Sequence, residues 1–197
     1  MMATEHERLR SAVRLVALLN LAYFGVEFVV ALRIGSVSLL ADSVDFLEDA
    51  AVNLLIFAAL GWNATRRAQV GLLLSGVLLI PAGAFLWTLW HKFSAPVPPE
   101  AIPLTVTGLG ALAVNLFCAL TLARFRQHSG SLTKAAFLSA RNDALANIAI
   151  IGAGAVTLFW PSIWPDLIVG LGIAVMNLDA ARAVWKAART ELRASLE

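Results

Sequence analysis

Four acidic residues, Asp42, Asp45, Glu48 and Asp49, sit inside an otherwise apolar stretch from Ser38 to Trp62. Glu27 lies in a second apolar stretch, and Arg141 and Asp143 lie in a third. A charged side chain at the centre of a membrane helix costs roughly 2.5–3.5 kcal/mol on the insertion scale, so acids in such positions point to function. At ~100° per residue, Asp45 and Asp49 fall ~40° apart on one helix face, with Asp42 inside a ~60° arc. Asn53 continues that stripe. Ser139, Asp143 and Asn147 recur at every fourth position and share a face of their own. Carboxylates that converge in a low dielectric repel one another. Protons relieve the repulsion, and a divalent cation relieves it while displacing protons. Metal binding and proton coupling thus follow from one property. The plainer use of these acids is structural pairing with Arg141 or with polar side chains. One arginine cannot balance four acids, and Arg141 faces away from Asp143 two residues along.

The elements that must position these residues are legible from composition. Of the 197 residues, 59% are hydrophobic and 14% charged, with a mean hydropathy of +0.78. Soluble domains run near 45–50% apolar and about 25% charged, so this chain is neither soluble nor disordered. One cysteine, Cys118, excludes an internal disulfide and any Cys-rich zinc module. Six apolar stretches reach the length that crosses ~30 Å of hydrocarbon: 15–32, 38–62, 68–90, 101–123, 135–160 and 166–184. They do not alternate as barrel strands would. The expected fold is all-α, an integral membrane bundle of six transmembrane helices. The spans and short loops account for residues 1–197 as a single transmembrane domain, with no soluble domain.

Of the 15 Lys and Arg, all but Arg33, Lys92 and Arg141 fall on one side when the N-terminus is taken as cytoplasmic. The positive-inside rule then puts both termini in the cytoplasm, and it accounts for the basic pI without nucleic acid. The expected location is the inner (plasma) membrane, multi-pass. Trp62, Trp90, Trp160 and Trp164 mark span ends. The first apolar run carries Glu27 and lacks a small-residue cleavage site, so it reads as a retained helix rather than a signal peptide. Depth brings the two polar faces together. Asp45 and Asp49 fall ~10–17 Å from one surface, and Asp143 falls ~12–18 Å from the other.

The run Ser36-Val-Ser-Leu-Leu-Ala-Asp-Ser-Val-Asp45-Phe-Leu-Glu-Asp49 resembles the second helix of the cation diffusion facilitators, where S-x-S-L-L-A-D precedes an [H/D]-x-x-x-D metal pair. Ser139-Ala-Arg-Asn-Asp143-Ala-Leu resembles the partner motif of the fifth helix. Asn20, Glu27-Phe28, Asn115 and Trp164-Pro-Asp166 are weaker echoes. The resemblance implies a six-helix, usually homodimeric antiporter that exports zinc, manganese, iron, cobalt or a related divalent ion in exchange for protons. It implies a transport site at Asp45, Asp49, Ser139 and Asp143. The metal is transported substrate, and no prosthetic group is expected. Lipid, the metal ion and protons are the expected partners. Ser139 departs from the pattern, since the family places His or Asp there. Zinc prefers His, Cys or carboxylate, whereas three carboxylates and a weak oxygen, completed by water or Asn142, lean toward harder ions. A short form is expected, lacking the family's C-terminal cytoplasmic domain and its His-rich loop.

Other residues have narrower readings. Asp42 is either a relay for ions or protons or a helix-end carboxylate in water. Glu48 flanks the ligand face and meets Arg141 or a neighbouring helix. Glu27 lines the path or packs through hydrogen bonds. Asn20, Asn53, Asn115 and Asn147 read as interhelical glue. His6, His91 and His128 read as solvated, Cys118 as core, and Gly71, Gly76, Gly108 and Gly110 as close helix contacts. Two other functions compete: a transport-inactive relative acting as metal sensor or partner, which Ser139 favours, and an aspartate-rich membrane transferase. The transferase needs Arg, Lys or Gly beside the acids, and Asp42–Asn53 has none.

Overall fold

The computed structural model describes residues 2–59, 83–125 and 130–176, with side chains described for 142–176 of the last segment. Expectations for Trp62, Arg66, Arg67, Gly71, Gly76, His128 and the end of the sixth span lie outside the described residues. So do those for the side chains of His6, Ser139 and Arg141. Every regular element among the described residues is a helix. In chain order these are α1 (Met2–Ile34), α2 (Val37–Ala59), α3 (83–94), α4 (Ala101–Ala123), α5 (Gly130–Phe159) and α6 (Trp164–Met176).

Among the described residues, three stretches, Glu7–Ile34, Ala101–Ala123 and Asn142–Phe159, are long and apolar enough to cross a membrane. At 23 residues α2 is as long as α4, but it carries the four acids. At 33 residues α1 outruns the expected 15–32 span, because nothing before Gly25 breaks a helix. It is ~50 Å long at 1.5 Å per residue, which exceeds the ~30 Å of hydrocarbon and carries Arg8, Arg10 and Arg14 toward one end.

The four helices α1, α2, α5 and α4 form a closed ring in which each packs on the next. The core holds apolar and polar side chains together. Asn20, Glu27, Asp42, Asn115 and Asn147 are inside, while Leu120 and Trp90 are 69% and 72% exposed on the outside. Leu, Val, Phe and Trp facing outward around a core that also holds polar side chains is what a lipid solvent selects.

Helix α6 docks on the first turn of α2 through Gly170. A Cβ there would sit 2.8 Å from Ser38 N and from the Val37 carbonyl carbon, so backbone would have to move. Gly108 and Gly110 are close contacts too, against Ile150 and the Tyr23 hydroxyl. Gly172, two residues from Gly170, has open space beside it. Gly170→Ala should therefore cost ~1–3 kcal/mol, the usual range for overpacking, while Gly172→Ala should be close to neutral. Thermal melts of the two variants in detergent check this, and equal melting temperatures would contradict the close docking.

Candidate metal centre

The start of α2 is held by capping chemistry from three elements. Gly35 ends α1 in the left-handed region at φ +62°, and Ser36 N donates back to Ala31 O at 3.0 Å, a Schellman-type stop. Ser36 is then the N-cap of α2, with its Oγ accepting from Leu39 N at 3.1 Å. The remaining first-turn donors go to Asp166 at the head of α6. Its carboxylate accepts from Val37 N at 2.8 Å and Ser38 N at 3.1 Å, and from the Ser36 and Ser38 hydroxyls at 2.6 Å each. A carboxylate at a helix N-terminus also complements the helix dipole.

Lys92 completes this end of the bundle. Counted from sequence as a loop charge, it is in fact buried, and its Nζ donates to Gly35 O at 2.6 Å. It lies beyond the expected end of the third span. Burial pulls its ammonium below the usual lysine range, against the opposing pull of Asp166. A cavity of about 390 Å³ opens here, lined in part by Gly35, Trp87, His91 and Lys92. His91 is exposed, as expected.

Anchored in this way, α2 turns its acids into the ring. Asp42, Asp45 and Asp49 are buried, and Glu48 is half-buried. The solvated helix-end reading of Asp42 is therefore wrong: its Oδ2 accepts from Asn147 Nδ2 at 2.7 Å. Asn147 accepts in turn from Asn115 Nδ2 at 3.3 Å, which ties α2, α5 and α4 together. Asn53 donates to the Asp49 carbonyl at 2.8 Å, and Cys118 is a core thiol that reaches Asn20 Oδ1 at 3.7 Å. From α5, the half-buried Asp143 lies close enough to Asp49 for their carboxyls to interact, and it also feels the charges of Asp42 and Glu48. Asp45 feels Asp143, Asp42, Glu48 and Asp49. Asn142 is exposed. Glu27 of α1 is fully buried with its carboxyl against that of Asp42.

The carboxyls of α2 and α5 thus share one field, with Asp49 and Asp143 in contact. They do not form a finished cage. Among the described residues, no three His, Cys, Asp or Glu side chains stand close enough together to hold a metal ion. Sequence reasoning treated Asp166 as an echo only, because a cap supplied from 130 residues away leaves no local signal.

A family model described as the cation efflux transmembrane domain matches residues 13–192. Two similar curated proteins are both zinc transporter ZitB. The one from Pectobacterium atrosepticum is 25% identical over 97% of this chain and 65% of its own length. The one from Yersinia pestis is 24% identical over 83% of this chain and 55% of its own length. The chain thus spans between half and two thirds of the length of these relatives.

The asparagine ladder makes its own prediction. Asn147→Leu removes the donor from a buried carboxylate and should cost ~1–3 kcal/mol, whereas Asn115→Leu breaks one longer bond between neutral amides and should cost about 1 kcal/mol. Denaturation of both variants in the same detergent tests the order. A larger loss at Asn115 would contradict the bond to Asp42.

Proposed function

The chain belongs to the cation efflux family, and on that premise we propose that it moves a divalent metal cation across the membrane in exchange for protons. In this reading Asp45, Asp49 and Asp143 hold the ion, and Ser139 offers a weak fourth oxygen. The observation that carries it is the meeting of a carboxyl from α2 with one from α5, Asp49 with Asp143, inside the ring. Two carboxyls brought together in a low dielectric favour holding a proton between them. An arriving divalent ion replaces that proton, and its charge offsets the repulsion among the acids. A site that opens to one face of the membrane loaded with metal and to the other loaded with protons exchanges the two. Family membership sets aside the membrane transferase.

The finer parts of the reading follow the same chemistry. The two relatives are named as zinc transporters, which supports zinc, while the oxygen-rich donor set supports manganese, cobalt or iron as well. The lysine and arginine bias supports cytoplasmic termini, export from the cytoplasm and an inner-membrane location. A homodimer and the single-domain division of residues 1–197 belong to the same proposal. The second reading, a transport-inactive sensor, is favoured by Ser139 alone.

Proteoliposomes with an imposed pH gradient separate these readings. Wild type should accumulate Zn²⁺, Co²⁺, Mn²⁺ or Fe²⁺. Loss of a metal's indirect partners alone costs about 10–100-fold in affinity, so Asp45→Ala and Asp143→Ala should lose at least that much uptake. Equal flux in all three proteins would discard the site, and no flux in wild type would favour the sensor. Ser139→His supplies a preferred zinc ligand and should tighten zinc binding. Unchanged zinc affinity would show that Ser139 does not face the ion.

A further inference from the structure

A second group of carboxyl oxygens lies where α1 meets α2. Glu27 is 0% exposed, and among the described residues no amide, hydroxyl or ammonium donor reaches either of its carboxyl oxygens. Its carboxyl lies against that of Asp42, also 0% exposed. Asn147 satisfies Asp42 Oδ2, but Oδ1 has no such donor. Three buried carboxyl oxygens from two helices therefore gather without a donor among the described residues. Each such acceptor costs ~1–3 kcal/mol, more when charged, and native interiors rarely keep one without a reason.

The atom count separates the two ways of satisfying them. A proton shared between the carboxyls engages one oxygen of each and leaves a third unpaired. A divalent cation accepts all three, and its charge matches the two carboxylates. Two carboxylates with the remaining positions filled by water are an ordinary protein contribution for a hard divalent ion. Asn147, by holding Asp42 Oδ2, orients the carboxylate as an outer partner does for a metal ligand.

Position gives the group a role. Asp42 precedes Asp45 by three residues, which sets it ~4.5 Å nearer the Gly35 end of the bundle. Glu27 lies eight residues before Gly35, ~12 Å from that end. The pair is thus in series with Asp45, Asp49 and Asp143, on the side of the cavity beside Lys92. Asp45 interacts electrostatically with both Glu27 and Asp42. We propose that Glu27 and Asp42 form a second binding position for a divalent metal cation, between the Asp45–Asp49–Asp143 acids and the Gly35 end of the bundle. This rests on the preceding reading for the identity of the ion, and its ligands are separate.

Equilibrium dialysis of the full chain in detergent against Co²⁺ counts ions per protein molecule. The expectation is about two in wild type, and about one in Asp45→Asn/Asp143→Asn, in Glu27→Gln and in Asp42→Asn. Adding Glu27→Gln to the Asp45→Asn/Asp143→Asn background should abolish binding. Wild-type binding that disappears altogether in Asp45→Asn/Asp143→Asn overturns the second position and leaves the first intact. An unchanged count in Asp45→Asn/Asp143→Asn with a loss in Glu27→Gln supports the second position and contradicts the first. An unchanged count in both Glu27→Gln and Asp42→Asn overturns the proposal. Should Glu27→Gln fail to fold, the Asp45→Asn/Asp143→Asn count still decides, because binding no Co²⁺ there overturns it.

Discussion

Charge that water cannot reach must be compensated inside the bundle, and the rest of this structure answers to that constraint. Four acids on α2 would cost roughly 10–14 kcal/mol if each stood ionised and alone at mid-membrane, at ~2.5–3.5 kcal/mol apiece. That is as large as the whole stability of an ordinary domain, about 5–15 kcal/mol. Packing cannot supply it. The described residues put no lysine or arginine among the acids. They supply one amide to Asp42 and a carboxyl–carboxyl contact between Asp49 and Asp143. Protons and metal ions remain as compensators, and a protein whose stability tolerates either one is equipped to trade one for the other.

The scaffold around the acids concentrates order at one end of α2. Ser36, Asp166 and Gly35 fix its first turn, and Lys92 locks the turn that precedes it. Gly170 lets α6 approach α2 backbone to backbone. The asparagine ladder then links Asp42 across to α5 and α4. Toward the other end, Arg10 of α1 lies over the Phe57 ring of α2 at 4.7 Å.

Much of this was legible in the sequence because membrane insertion makes acids conspicuous. Asp45, Asp49 and Asp143 stand out in the sequence by cost, spacing and depth. The helical class followed from the length of the apolar stretches, and Gly108 and Gly110 from the scarcity of other reasons for small residues there. What the sequence concealed was long-range. Asp166 looked like a residue at a span end, yet its work is to cap a helix that begins 129 residues earlier. Lys92 reads from sequence as a loop charge, and Asp42 as either a relay or a wet helix end, because distance from a span boundary does not report burial where helices close over one another. Glu27 was visible as an oddity, but only the placement of Asp42 against it showed a carboxyl with no donor.

The central claim is that the acids of α2 and α5 are compensated alternately by protons and by metal. Release of protons on metal binding tests this most directly, read with a pH indicator as Co²⁺ is added to the detergent-solubilised chain in weak buffer. The account predicts that each Co²⁺ bound ejects protons and that Asp143→Asn diminishes the release. Tight Co²⁺ binding with no proton release, or a release unchanged by Asp143→Asn, would contradict it.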